Sequence, residues 1–278
     1  MCSVDTWRWI HSAPTDGATQ MAMDQAILEN GAALRIPTMR VYQWKPYCIS
    51  LGYHQSVEVI DLMRCQRDGI DVVRRPTGGR AVFHAEEVTY SVVIPKGDVR
   101  CSWSIGKVYN LLSQGLARGI RMLDVPAELQ KRAVDLHAHY QTPLSASCFS
   151  AAARHEVMVG GRKLVGSAQR RLSEGLLQHG SVLTGDAHLN LSKYLQGLAP
   201  EEKKKMQKTM ESKTVSLSRY LERKVNPGEV IDVLRKGMEE ELGMTFVDGE
   251  LTEEEKKKVH LLKERFSVCS SECAPLPS

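Results

Sequence analysis

Short β-prone runs held apart by paired glycines constrain this chain more than any other feature. IDVVRRP leads into PTGGRAVFH and, after an acidic turn, VTYSVVI; further on, HEVMVGGRKLVGSAQRR and LLQHGSVL repeat the arrangement. β-branched and aromatic residues favour extended backbone, and a Gly-Gly pair supplies the positive φ that a tight hairpin turn demands. Val157 and Val159 before Gly160-Gly161, with Leu164 and Val165 after it, therefore predict two strands around a primed turn. TMRVYQW and YCISLGY meet at Lys45-Pro46, where proline suits a turn better than a central strand. A β-hairpin or two neighbouring strands are expected there.

Helical periodicity surrounds these runs. ATQMAMDQAILENGAAL brings Met21, Ala22, Ile27 and Leu28 near helical spacing, which predicts an early amphipathic helix with Gly31 as its stop. Ile105, Val108, Leu111, Leu112, Leu116 and Ile120 share one face of a second helix, expected to pack on the sheet. Beyond Pro200 the charged run EEKKKMQKTMESK precedes a helix lined by Val230, Ile231, Leu234, Met238 and Leu242. Thr252 and Glu255 then form a capping box for a last helix carrying Val259, Leu262 and Phe266. The expected class is α+β, with a catalytic-type core over 1–200 and a mainly helical C-terminal extension over 201–278 packed on it. The connection from about Asp124 to Ser147 is irregular and of a length that is usually functional or mobile.

A hydrophobic fraction of 42% and a charged fraction of 25% exclude collagen-like, disordered and membrane classes. No apolar run approaches the roughly 18 residues of a membrane helix, so no membrane association and a cytoplasmic location are expected. Seven cysteines at irregular spacing do not form a secreted disulfide framework. Cys269 and Cys273 have no second CxxC and no nearby histidine, so no metal site is expected. A net charge of +4 is too slight to predict nucleic-acid binding and suits an acidic protein partner.

Four segments can carry chemistry. In RRPTGGRAVFH, Arg74, Arg75, Gly78, Gly79 and His84 bring guanidinium groups and backbone amides around a polar or anionic group; a surface hairpin with solvated arginines has the same pattern. Cys148, in SASCFSAA, follows the long connection and can sit exposed at a cleft, although a lone cysteine is more often an inert small hydrophobe. Lys163 lies across the Gly160-Gly161 turn, from where an ammonium can stabilise a thiolate; the alternative is a solvated turn lysine. A thiol with a pKa of about 8.5 is only a few per cent ionised at pH 7, and a downward shift of about two units removes roughly 2.7 kcal/mol of that penalty. Gly166, Ser167 and Ala168 in GSAQRR, with His179 in LLQHGSVL, can shape a narrow pocket for a straight acyl chain. Close strand packing with His179 satisfied by backbone is the plainer reading of the same residues.

In this order, RRPTGGRAVFH, the SCF containing Cys148, GGRK, GSAQRR and LLQHGSVL closely resemble the lipoate-protein ligase and octanoyltransferase superfamily, within it the LipM-type octanoyltransferases. The match runs from about Trp7 to the final helix. The resemblance implies the catalytic-domain fold of biotin and lipoate protein ligases, a mixed, largely antiparallel β-sheet flanked by helices. It also implies octanoyl transfer from the phosphopantetheine thiol of acyl-carrier protein to an enzyme cysteine, then to a lysine of a lipoyl domain such as the glycine-cleavage H protein. Cys148 matches the nucleophile and Lys163 the lysine that lowers its pKa. Arg74, Arg75, Gly78, Gly79, His84, Gly166, Ser167, Ala168 and His179 match the acyl-substrate site. No cofactor, no ATP and no nucleic acid are implied, and a monomer is the default expectation. SCFSAAARHEV departs from the SCF-APSWYE-like run of the pattern, which bears on pocket depth and chain-length preference. Three other readings share parts of these motifs: an ATP-dependent lipoate ligase, an octanoyl amidotransferase between lipoyl-domain proteins, and a non-catalytic module that docks acidic carrier domains on the basic loop.

Overall fold

Valine, isoleucine and tyrosine crowd β6 (Glu87–Pro95), whose nine residues are all buried, and this strand runs through the interior of the larger of two sheets. The computed structural model describes residues 5–130 and 155–268; Cys148, most of the 124–147 connection, Cys269 and Cys273 lie outside them. The other strands are β1 (Asp5–His11), β2 (Thr38–Tyr42), β3 (Cys48–Leu51), β4 (Asp71–Arg74), β5 (Val82–His84), β7 (Glu128–Leu129), β8 (Val157–Val159), β9 (Arg162–Arg171), β10 (Gly175–Leu183) and β11 (Met244–Asp248). The helices are α1 (Gly17–Leu34), α2 (Leu62–Arg67), α3 (Ile105–Arg121), α4 (Pro200–Lys213), α5 (Leu217–Tyr220), α6 (Pro227–Leu242) and α7 (Glu253–Leu262). Eight strands in the order β11-β1-β2-β6-β10-β9-β8-β7 form the main sheet, and β4-β3-β5 form a second one. Among the described residues, only β1 pairs in parallel within the main sheet, with β2 and β11. The expected α+β architecture with a mixed, largely antiparallel sheet flanked by helices is therefore what the chain adopts.

Alternation along β6 sends its two faces to different layers. Val88, Tyr90, Val92 and Ile94 join a core built with α3 and α6, whereas Val93 packs with Ile27 and Leu28 of α1. The α3 face follows the expected pattern at Val108, Leu112, Leu116 and Ile120, all fully buried, while Ile105 in its first turn is exposed. Gly119 and Gly237 let α3 and α6 approach closely; a Cβ on Gly237 would lie 2.1 Å from the Gly119 nitrogen. The segment after Pro200 adds a strand as well as helices, because β11 extends the main sheet beside β1. The Thr252–Glu255 capping box is formed, and the Glu255 carboxylate also takes two hydrogen bonds from Arg8, at 2.9 and 2.6 Å. Gly160 (φ 55°) and Gly161 (φ 73°) make the primed turn between β8 and β9. No helix among the described residues is long and apolar enough to cross a membrane.

Two local expectations are corrected. TMRVYQW and YCISLGY do not pair: β2 inserts between β1 and β6, while β3 sits between β4 and β5 in the other sheet. Both strands are buried along their whole length, so neither has the one-sided alternation that would mark a partner. Gly31 does not stop α1, which continues to Leu34 and ends at Arg35 in the left-handed region (φ 54°). Gly31 instead permits contact with Pro95, where a Cβ would come within 3.2 Å. Nor is α1 amphipathic in the usual sense, since Gln20 and Asp24 are as buried as Met21 and Ala22.

Candidate functional site

The two sheets meet around a narrow cavity. Ser50 of β3, Val82 and His84 of β5, Thr89 of β6, Gly166 to Ala168 of β9 and His179 to Ser181 of β10 line it, with Met21 of α1 and the Tyr42 and Trp44 rings. Gly180 of β10 is paired with Tyr90 of β6 on one side and Ser167 of β9 on the other. A Cβ there would lie 2.5 Å from the Gly166 carbonyl and 2.8 Å from the Tyr90 ring.

Two buried histidines face this space, each backed by a buried carboxylate. His84 is stacked on Trp44, ring centroids 4.2 Å apart; its Nε2 lies 2.7 Å from Ser50 Oγ and its Nδ1 2.8 Å from Glu87 Oε1. The same Glu87 oxygen accepts from Thr89 at 2.5 Å and Ser181 at 2.7 Å. Burial by itself would raise the Glu87 carboxyl, but the His84 charge and these hydrogen bonds outweigh it and hold Glu87 below its ordinary value. His179 places Nε2 2.6 Å from Thr77 Oγ1 and Nδ1 3.3 Å from Asp24 Oδ2. Burial pushes His179 below its ordinary value, against the opposing pull of Asp24.

Asp24 is the hub beneath. Arg40, wholly buried, donates to Asp24 Oδ1 from Nε (3.0 Å) and Nη2 (2.6 Å), and from Nη1 to Gln20 Oε1 (2.7 Å). Tyr42 donates its hydroxyl to Asp24 Oδ2 at 3.2 Å while its ring lies under the guanidinium. Burial would raise the Asp24 carboxyl, yet the Arg40 charge and then His179 bring it below the ordinary range.

The glycine-rich loop is braced from inside. Arg75 Nη1 donates to the Ser50 carbonyl at 2.9 Å, and Nη2 donates at 2.8 Å to the carbonyls of both Gly78 and Arg80. Arg170 holds the Pro76 carbonyl at 2.9 Å. Gly79 needs its φ of 95°, and its carbonyl would lie 1.9 Å from a Cβ on Gly52. Arg74 turns elsewhere, donating to the carbonyls of Gly52, Tyr53 and Gln55. Thus Arg75, His84, Gly166, Ser167, Ala168 and His179 converge on one cavity, whereas Arg74, Gly78 and Gly79 shape the loop beside it. His179 is held by side chains of the loop and of α1, not by backbone alone.

Lys163 is not a solvated turn lysine: it is 2% exposed, and its Nζ lies 2.9 Å from both oxygens of Glu156, itself 4% exposed. On the other side its carbonyl accepts from the Val215 amide at 3.1 Å, next to a backbone bridge with Thr214. Strand alternation puts Lys163 and Ser167 on one face of β9, about 13 Å apart. The chain passes out of the described residues at Gln130 and back at His155, and these positions are joined: Gln130 N–H donates to the Glu156 carbonyl and His155 N–H to the Gln130 carbonyl, both at 2.9 Å. Cys148 falls between them.

Sequence reasoning missed the acidic partners Asp24, Glu87 and Glu156, along with Thr77 and Arg40. For Asp24 a signal existed, a lone carboxylate within the apolar stretch MAMDQAIL. For Glu156 the only mark was an acid directly before an apolar alternation, and nothing local names its partner.

Residues 16–239 match the model of the lipoyl protein ligase A/B catalytic domain. The octanoyltransferase LipM of Clostridioides difficile (strain 630) is 36% identical over 269 residues, covering 95% of this chain and 97% of the relative. That of Geobacillus kaustophilus (strain HTA426) is 37% identical over 266 residues, covering 93% and 94%. Among solved structures, a lipoate-protein ligase A bound with ATP gives a TM-score of 0.73 at 22% identity, over 93% of this chain and 94% of that one. A bipartite lipoate protein ligase from Thermoplasma acidophilum, studied with its E2 lipoyl domain, gives 0.75 at 22% identity over 93% and 92%. At that identity the likeness is one of fold.

Proposed function

Because this chain belongs to the family of lipoyl protein ligase A/B catalytic domains, we propose that it transfers an octanoyl group from the phosphopantetheine thioester of acyl-carrier protein to a lysine of a lipoyl domain, such as the glycine-cleavage H protein, through a thioester on Cys148. Its relatives of matching length are octanoyltransferases, so acyl transfer in lipoate formation is the shared ground. The observation that carries the finer reading is the layout of β9. A buried ammonium with its carboxylate stands at one end of that strand, and the cavity lined by Gly166 to Ala168 lies farther along it. About 13 Å separates Lys163 from Ser167 along the strand, a span that suits an extended medium-length acyl chain.

In the first step the Cys148 sulfur bonds to the acyl carbon and the bond to the pantetheine sulfur breaks, releasing a thiol. In the second, the acceptor amine bonds to the same carbon, the Cys148 thiolate departs, and the amine gives up a proton. Exchange of one thioester for another is nearly isoenergetic and conversion to an amide runs downhill, so no nucleotide is consumed. The cysteine divides one difficult transfer into two easier ones.

Incubation with octanoyl-acyl-carrier protein and no nucleotide should add one octanoyl group, removable by hydroxylamine, as read by intact-protein mass spectrometry. Cys148→Ser should lower transfer by on the order of 10³-fold or more. Full transfer by that variant without ATP would overturn the covalent route. A requirement for ATP with free lipoate would assign a ligase instead, and efficient use of octanoylated H protein as donor an amidotransferase. Ala168→Leu, at the strand position paired with His179, should fill the cavity and slow transfer at least about tenfold, at a stability loss of about 1–3 kcal/mol; unchanged kinetics would take the acyl chain out of this cavity.

A further inference from the structure

We propose that the lysine face of α4, carried by Lys204, Lys205 and Lys208, is the surface on which the acyl-carrier donor docks through its acidic residues. The identity of the occupant rests on the transfer reading above, while the surface itself consists of residues that the motifs do not contain.

The same local pattern occurs twice in the chain, with opposite results. EEEKKK opens α7, and there each lysine finds a carboxylate: Lys256 pairs with Glu253 at 2.8 Å, Lys257 with Glu254 at 2.9 Å and Lys258 with Glu29 at 3.4 Å. EEKKK follows Pro200 in α4, but its acids are engaged elsewhere. Glu202 accepts from the Ala199 amide at 2.8 Å as part of the helix cap, and Glu211 lies 3.3 Å from Arg219. Glu201 comes only within 3.6 Å of Lys204, and both side chains are largely in water, where an ion pair contributes little. Lys205 and Lys208 are exposed and have no carboxylate partner among the described residues.

This excess of positive charge is mounted on a fixed base. Met206 and Met210, on the inner side of α4, are almost wholly buried and pack in one core cluster with Ile60, Leu191 and Tyr194. The three lysines line a shallow groove with Glu201, Thr209 and Ser212. Both hydroxyls donate to carbonyls of the helix itself, so the ammonium groups are the donors this groove presents to a partner. A row of like charges held in place without its own counter-charges attracts an acidic surface and speeds its encounter.

Position selects the donor. α4 runs into Thr214, which is bridged to Lys163, and the next amide, that of Val215, donates to the Lys163 carbonyl at 3.1 Å. Along the helix axis Lys208 is about 9 Å from Thr214 and Lys204 about 15 Å. A lysine side chain of an acceptor domain seated on these residues falls short of that span. A phosphopantetheine arm covers it, and its phosphate adds a further anion beside the ammonium groups.

The test is fluorescence anisotropy of labelled holo-acyl-carrier protein titrated with the whole chain. Wild-type binding should weaken as salt is raised. Joint replacement Lys204→Glu, Lys205→Glu and Lys208→Glu should raise Kd at least about tenfold. The matching change in α7, Lys256→Glu, Lys257→Glu and Lys258→Glu, should leave Kd within about twofold, because the same shift in net charge there faces no carrier. In acylation assays the α4 variant should need at least about tenfold more octanoyl-acyl-carrier protein for half-saturation, yet use octanoyl-pantetheine, which has no protein surface, as the wild type does. An unchanged Kd for the α4 variant overturns the proposal, as does an equal loss in the α7 variant or a loss seen only with an acceptor H protein. If circular dichroism finds the α4 variant unfolded, the milder Lys204→Gln, Lys205→Gln and Lys208→Gln set decides: weaker carrier binding supports the proposal and a wild-type Kd overturns it. A wild-type protein that forms no octanoyl adduct with either donor defeats the transfer reading, and the binding titration still decides the docking surface.

Discussion

Asp24→Ala should lower the unfolding free energy by about 3–5 kcal/mol, the usual loss when one partner of a buried ion pair is removed. Arg40 has no exposed surface, and Asp24 is its charge partner, bound through Nε and Nη2. Gln20 would still accept from Arg40, but a neutral amide does not balance the charge. Tyr42 and His179 would each lose the oxygen they share, and through His179 the hold on Thr77 in the glycine-rich loop would loosen. Asp24→Asn should be nearly as harmful, since it keeps the volume and removes the charge. Urea unfolding monitored by tryptophan fluorescence measures both, and a loss below about 1 kcal/mol for the Asn variant would mean the charge of Asp24 is not what matters.

Acidification from pH 6.5 to 4 should remove on the order of 3 kcal/mol of stability through His188 alone. Burial drives this imidazole down to about 4, against the weaker opposing effect of Asp186. The native state then refuses a proton that the unfolded chain accepts near the ordinary value of 6.5, so stability is full above 6.5 and falls until about pH 4. His179, also depressed by burial, adds in the same direction. Asp24 and Glu87 act in a lower window: their carboxyls are held below the unfolded values of 3.8 and 4.5, so their contribution persists above those values and disappears on further acidification. His188→Asn should flatten the upper window and spare the lower one. Urea midpoints measured across the range test this, and a flat profile between 6.5 and 4 in the wild type would rule it out. The effect reaches the site, because His188 Nε2 is 2.8 Å from the hydroxyl of Thr214, the residue bridged to Lys163.

What the sequence could disclose depended on how local the deciding interaction was. The β8–β9 hairpin was legible because its turn chemistry and its flanking valines lie within a few residues of each other, and Lys163 came with it. The Thr252 capping box was readable for the same reason. The pairing of β2 and β3 was not, since their partners β6 and β4 are set by burial on both faces and by the meeting of two sheets. The motif histidines could be named from the sequence, but the carboxylate that His179 Nδ1 faces is Asp24, 155 residues away. Gly31 misled because a glycine that admits a neighbouring strand and one that ends a helix look alike in a sequence.

The parallel pairing of β1 with β11, Asp5 opposite Met244, also sets a timetable. Trp7 and Trp9 meet Phe246 edge-on, with ring centroids 6.3 and 4.9 Å apart, so neither tryptophan finds this cover until almost the whole described chain has been synthesised. At about 5–20 residues per second that is a wait of roughly ten seconds to a minute. During it a nascent chain carries an open strand and two aromatic rings beside it, the kind of surface that chaperones bind. Final closure of the sheet is then a late, long-range event, and tryptophan emission is a direct clock for it.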